Sequence, residues 1–305
     1  MKLKGKTALV TGGATGLGFA FAKRLAQDGA NIVIGDIRGA ADAAKTLQAS
    51  SFSATGVQLD VSQEDSVIAA VAEVSHVYGG VDILINNAAL FSTLVNKPFD
   101  EIDSNEWMKV MTVNTLGPFL CAKHFSAHMK QKQWGRIINV ASTSALKGVA
   151  NMAHYVTSKG AVITLTRVLA KELGAWNITS NALAPGLTLS DQILKNSSHV
   201  EQFRELSRKS RAIQRDATPS DLVGTVSFLA SDDASFMTGQ TLCVEGGAIF
   251  ATGAGLLAAG GAIWLTSANP SKESLKPDSL TFVGAWRSGD MFLWTMPIPP
   301  SCASA

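Results

Sequence analysis

From residue 6 to about residue 247, short apolar runs alternate with longer segments of helical period, and no other feature constrains the fold as strongly. A strand that is aliphatic or β-branched on both faces must be covered on both, and a parallel sheet wrapped by helices achieves this. The predicted strands are Thr7–Thr11, Asn31–Asp36, Gly56–Asp60, Val81–Asn86, Gly135–Ser142, Ile178–Ala184 and Thr241–Val244. Helical patterns fall at Gly16–Gly29, Asp65–Val77, Ser104–Lys130, Met152–Leu173 and Ser220–Ala230. No repeat or linker interrupts them. The pattern predicts an α/β fold with one doubly wound, seven-stranded parallel sheet over residues 1–247.

After Gly247 the composition changes. The last 58 residues hold five of the nine prolines and three of the six tryptophans, but only six charged residues. Residues 248–305 therefore read as an atypical C-terminal extension, disordered or loosely packed. Ala248–Leu265 carries no charge over 18 residues, so contact with a membrane is the other reading of this stretch. For the chain as a whole, a net charge of +2 without a basic run gives no support to nucleic-acid binding. Cys121, Cys243 and Cys302 lie far apart and form no metal-ligand cluster, so neither a metal site nor a disulfide framework is expected. The N-terminal MKLKGKTALVTGG lacks the long apolar stretch of a secretory signal, and a cytoplasmic protein is expected.

The first strand runs into Thr11-Gly12-Gly13-Ala14-Thr15-Gly16-Leu17-Gly18, and a helix pattern starts at once. Glycines there let the main chain approach a pyrophosphate and let helix and sheet pack closely. The helix start offers unpaired N–H groups and a partial positive charge. Asp36 closes the second strand eighteen residues after Gly18, where a carboxylate accepts from both ribose hydroxyls and repels a 2′-phosphate. NAD is the favoured cofactor. Arg38 keeps NADP open, since it can swing towards a 2′-phosphate.

Tyr155 and Lys159 are four residues apart on a predicted helix and share a face. A free tyrosine, with a pKa of about 10, is a poor base near neutrality. A neighbouring ammonium favours the phenolate, as acid/base catalysis requires. Ser142 ends a predicted strand at the ligand-facing edge of the sheet, where its hydroxyl can bind a substrate oxygen. Asn87 follows the fourth strand at the same edge. Asn114 sits inside a long helix pattern, a poor place for asparagine unless its amide is engaged.

In this order and at this spacing the motifs resemble the short-chain dehydrogenase/reductase family of about 250 residues, over residues 4 to 247. The matching segments include Asp60-Val61, Asn86-Asn87-Ala88-Ala89, Asn181-Ala182-Leu183-Ala184-Pro185-Gly186 and Glu245-Gly246-Gly247. The resemblance implies a Rossmann-type domain and an NAD(P)-dependent oxidoreductase that interconverts a secondary alcohol with its ketone or aldehyde. It implies that Tyr155 exchanges the proton, Ser142 polarises the substrate oxygen, Lys159 binds the nicotinamide ribose, and Asn114 holds a water. Gly12, Gly16, Leu17 and Gly18 would carry the pyrophosphate, Asp36 the ribose, and Asp60 with Val61 the adenine. Asn87, Pro185, Gly186 and Thr188 would lie along the rest of the cofactor, together with Tyr155 and Lys159. Ala89 departs from the family's usual glycine. A homodimer or homotetramer is implied, although an extension stands where relatives build a tetramer interface.

Beside the chemistry, Leu90, Phe91, Ser144, Leu146, Val149 and His154 are the expected substrate border, with Ser142. His154 reads equally as a helix-surface residue, and Lys147 is expected at the surface. The mostly apolar lining favours a small aromatic or alicyclic alcohol, and the segment before Tyr155 is similar to aromatic-alcohol dehydrogenases of the family. The alternatives are a 3-oxoacyl thioester reductase and a non-catalytic dinucleotide-binding sensor or scaffold.

Overall fold

The computed structural model describes residues 1–194, 204–250, 279–285 and 291–297. Seven strands form one parallel sheet: β1 (Thr7–Thr11), β2 (Asn31–Asp36), β3 (Ala54–Gln58), β4 (Ile83–Asn86), β5 (Gly135–Val140), β6 (Ile178–Pro185) and β7 (Thr241–Val244). Their order is β3-β2-β1-β4-β5-β6-β7. The helices are α1 (Gly16–Gln27), α2 (Ala40–Gln48), α3 (Glu64–Tyr78), α4 (Ser104–Met111), α5 (Gly117–Lys132), α6 (Ser144–Lys147), α7 (Ala153–Leu173), α8 (Asp191–Leu194) and α9 (Ser220–Ala230).

Successive strand residues enter opposite cores, as the two-residue period requires. Ala8 and Val10 of β1, Ile32 and Ile34 of β2, and Ile83 and Ile85 of β4 pack with Phe21 and Leu25 of α1 and with α9. Leu9, Val33 and Leu84, the residues between them, pack on the other face with Val67 of α3 and Phe125 of α5. The sheet reverses its winding between β1 and β4. Their carboxyl ends diverge there and open a crevice, the place where such sheets bind ligands.

Several elements depart from the sequence reading, β4 by starting at Ile83, β5 by ending at Val140, and the short α6 and α8 by being unexpected. The strand expected at Gly56–Asp60 begins two residues earlier, at Ala54. α2 was not anticipated; its buried Ala40, Ala43, Ala44 and Leu47 follow helical spacing, but alanine contributes little to an apolar pattern. The single helix expected over Ser104–Lys130 is interrupted by one π-helical turn, Thr112–Leu116, with Asn114 buried at its centre.

Beyond Val244, Glu245 accepts hydrogen bonds from the backbone amides of Gly247 (3.2 Å), Ala248 (2.7 Å) and Ile249 (3.0 Å). Met1–Ile249 forms one compact unit, and Phe250–Ala305 forms another. Within the second, β8 (Ser279–Ala285) and β9 (Met291–Pro297) pair antiparallel, which the expectation of a disordered or loosely packed extension did not foresee. The rest of that extension, including the uncharged stretch to Leu265, lies outside the described residues. Among the described residues no helix is long and apolar enough to cross a membrane.

Candidate active site

The turn after β1 is tied to the end of β4. The Thr11 hydroxyl accepts from the amides of Asn87 and Ala88, both at 3.0 Å. The Asn87 side chain returns the contact, donating to the carbonyls of Thr11 and Gly12, also at 3.0 Å. Gly12 has φ +60°, in the left-handed region. At Gly18 a Cβ would stand 2.1 Å from the Gly12 carbonyl oxygen and 2.6 Å from Asn87 Nδ2, so only glycine fits. The first turn of α1 carries no acidic residue, which leaves its positive end open to an anion. Gly12, Leu17 and Gly18 line a cavity of about 1370 Å³. Gly16 does not; with φ +57° it turns the chain into α1.

Asp36 ends β2 on the same cavity. Its carboxylate accepts from the amides of Ala14 (3.0 Å) and Arg38 (3.2 Å), which fixes its direction and leaves lone pairs for further donors. Asp60 accepts from the Ser62 amide (2.9 Å) and hydroxyl (2.6 Å), and Val61 is buried beside it. Both line the cavity, as do Asn87, Pro185, Gly186 and Thr188. These residues fit a dinucleotide: a cradle that a Cβ would fill, a helix start, and carboxylates where hydroxyls need acceptors.

At the far end the cavity meets Ser142, Ser144, Tyr155 and Lys159. Ser142 lies just past β5, which stops at Val140, and the Ser144 hydroxyl and amide hold its oxygen at 2.9 and 3.2 Å. The Tyr155 hydroxyl faces Ser142, and its ring packs at a tilt on Phe91 with centroids 4.8 Å apart. Lys159 donates to the Val140 carbonyl at 2.6 Å and lies 5.9 Å from the centre of the Tyr155 ring. Burial lowers the Lys159 ammonium to about 8. It pushes the Tyr155 phenol up to about 12, with Ser142 pulling the other way. Without the positive nicotinamide ring, on which the expected lowering also rests, desolvation outweighs a lysine already committed to a carbonyl.

Asn114 is beside the site but does not line the cavity. Its amide accepts from Leu90 N (2.7 Å) and donates to Leu90 O (3.2 Å) and the Ser158 hydroxyl (3.1 Å). His154 does not border the cavity either; it is fully buried and faces Glu106, with Nε2 at 3.3 Å from Oε1. Leu146 is about half exposed and outside the lining. Lys147, expected at the surface, is exposed yet lines the cavity, as do Leu90, Phe91 and Val149. Met152, Ser190 and Thr112 belong to the lining and were missed. Met152 precedes the Tyr155 motif closely enough to have been suspected, and Ser190 lies in the segment after Pro185-Gly186 that the family resemblance marks as its substrate loop; Thr112 gave no signal.

The family model described as enoyl-(acyl carrier protein) reductase matches residues 12–248. The chain belongs to the short-chain dehydrogenase/reductase family. It is 37% identical over 243 residues to cis-4-hydroxycyclohexanecarboxylate dehydrogenase of Sinomonas cyclohexanicum, covering 79% of this chain and 96% of that protein. To 3-oxoacyl-acyl-carrier-protein reductase of Aquifex aeolicus the identity is 33%, over 81% of this chain and 98% of the relative. The solved gluconate 5-dehydrogenase of Burkholderia cenocepacia, in complex with NADP and tartrate, superimposes with a TM-score of 0.77 at 33% identity. That match covers 82% of this chain and 98% of the other. As a family member, the protein is an NAD(P)-dependent oxidoreductase acting on CH–OH groups.

Proposed function

We propose that the protein interconverts a secondary alcohol, aromatic or alicyclic, with its carbonyl form, using Tyr155 as general acid/base and NAD in preference to NADP. The observation that carries this reading is the Tyr155 hydroxyl facing Ser142 inside the cavity, with Lys159 one helical turn away. Ser142, held by Ser144, has its oxygen fixed beside the phenol and orients the substrate oxygen towards it. Lys159, anchored on Val140, would bind the nicotinamide ribose beside the tyrosine. Both hydrogens of the Asn114 amide are used, so a water in the proton relay is held by the backbone of the π-turn. The oxidised nicotinamide ring, when bound, supplies the hydride acceptor and a positive charge that favours the phenolate. The NAD preference rests on Asp36, although the solved relative named above holds NADP. Phe119 on α5 and Val168 on α7 expose apolar side chains, in keeping with a homodimer or homotetramer.

One observation favours a second substrate reading. Lys147 lines the cavity with no ion-pair partner among the described residues, three residues after Ser144 on the same helix. Two of the named relatives, by their names, act on hydroxy acids. A hydroxycarboxylate that sets its carboxylate against Lys147 fits both facts.

The test is NAD and NADP reduction by purified protein against aromatic, alicyclic, hydroxycarboxylate and 3-hydroxyacyl-thioester alcohols. Tyr155→Phe should lose about a thousandfold or more in turnover and keep its NAD affinity. Wild-type rates in that variant would remove Tyr155 from the mechanism.

A further inference from the structure

Glu106 joins two walls of the catalytic end of the cavity. It lies in the first turn of α4, where the Asp103 side chain accepts from its amide at 3.3 Å and fixes the backbone. One carboxylate oxygen takes the ammonium of Lys97 at 2.5 Å, and the other faces His154 Nε2 at 3.3 Å. Lys97 closes the segment 91–98, whose Phe91, Ser92, Thr93 and Leu94 line the cavity. Its own amide donates to the Asn151 carbonyl at 3.0 Å, just before α7. His154 is the residue before Tyr155, fully buried, with Nδ1 unpartnered. The Lys97 bond holds the Glu106 carboxyl below the usual carboxylate range, and His154 adds to this.

We propose that Glu106 is a positioning residue which, by gripping Lys97 and His154 together, sets the spacing of the Phe91 and Tyr155 rings and so aims the Tyr155 hydroxyl. The proposal rests on Tyr155 being the acid/base. Tyr155 is held from below by its helix and from the side by Phe91, and both supports converge on this carboxylate. Loss of the Lys97 arm frees the wall; loss of the His154 arm frees the start of α7.

The chain has two tyrosines, so 3-fluorotyrosine labelling gives one ¹⁹F resonance for Tyr155 and one for Tyr78. Tyr78, whose hydroxyl bonds Thr55 at 2.9 Å, is the internal reference. In full-length Glu106→Gln the Tyr155 signal should shift or broaden while Tyr78 stays. kcat should fall about tenfold, with the NAD dissociation constant within about twofold of wild type. Lys97→Met should raise KM for the alcohol more than it lowers kcat. His154→Gln, which keeps a donor for Glu106, should stay near wild type. An unmoved Tyr155 resonance with unchanged kcat overturns the proposal, as does movement of both resonances with loss of NAD affinity. Should Glu106→Gln not fold, the contrast between Lys97→Met and His154→Gln decides by the same criteria. The fluorine comparison needs no turnover, so it stands apart from any failure of the acid/base reading.

Discussion

The Asn87 amide meets the Gly12 carbonyl at 3.0 Å, and this contact locks the nucleotide turn of one half of the sheet to the strand end of the other. Asn87 therefore acts as a staple across the switch point. Asn87→Ala strips the Thr11 and Gly12 carbonyls of a donor, a loss of about 1–3 kcal/mol when such groups stay buried. Urea denaturation should show that loss, and the NAD dissociation constant should rise with it.

Gly18→Ala should be harsher for binding than for folding chemistry elsewhere. The new Cβ would fall 2.1 Å from backbone oxygen at Gly12, and backbone cannot swing aside as a side chain can. Titration with NAD should show no saturable binding, whereas the far-ultraviolet spectrum stays that of a folded α/β protein.

Asp36→Ala removes a carboxylate whose direction is already set by the Ala14 and Arg38 amides. Bonds to a charged acceptor contribute about 1.5–3 kcal/mol each, so NAD should bind about tenfold or more weakly. The preference over NADP should narrow in parallel, because the repulsion of a 2′-phosphate goes too. Unchanged NAD affinity would show that this carboxylate does not hold the ribose.

Two buried groups give the stability a defined pH dependence. The folded Lys159 titrates near 8 and an exposed lysine near about 10.4, so between these values the unfolded chain binds more protons and stability rises with pH. The folded Tyr155 titrates near 12 and a free tyrosine near about 10, so over that interval the native state binds more protons and stability falls. Urea midpoints measured from about pH 8 to 10 should trace the rise, and Lys159→Met should flatten it relative to wild type.

A chain ending at Ile249 should keep NAD affinity and turnover, since every described residue of the site lies in the unit Met1–Ile249. Ending it at Gly247 instead removes the Ala248 and Ile249 amides from Glu245 and should lower the melting temperature. Loss of activity in the chain that ends at Ile249 would assign the extension a part in catalysis.

Much of this could be read in advance where periodicity is strong. β1, β2, β7 and α9 fall at the expected residues because each is a clean apolar run or helical stripe bounded by turn-forming residues. Gly56 misled the start of β3: it serves as a gap for the backbone of Ala40, which a Cβ would approach to 2.4 Å, and does not mark a boundary. The π-turn left a single trace, the misplaced Asn114. His154 shows the limit of motif reading. Adjacent helix residues point about 100° apart, so a neighbour of Tyr155 faces elsewhere, and only the fold reveals Glu106 as its partner.

The grip of Glu245 on the three amides after β7 has a mechanical consequence. A pull on the C-terminus, from a tether or a fused partner, is carried first by those three bonds. When they yield, together with the bonds that the Gly246 and Gly247 carbonyls accept from the Ile213 and Ala212 amides, the load reaches Val244 and, through its register partner Pro185, the loop that borders the catalytic cavity. Glu245 is in that sense a fuse between the end of the Met1–Ile249 unit and the strand beside its chemistry.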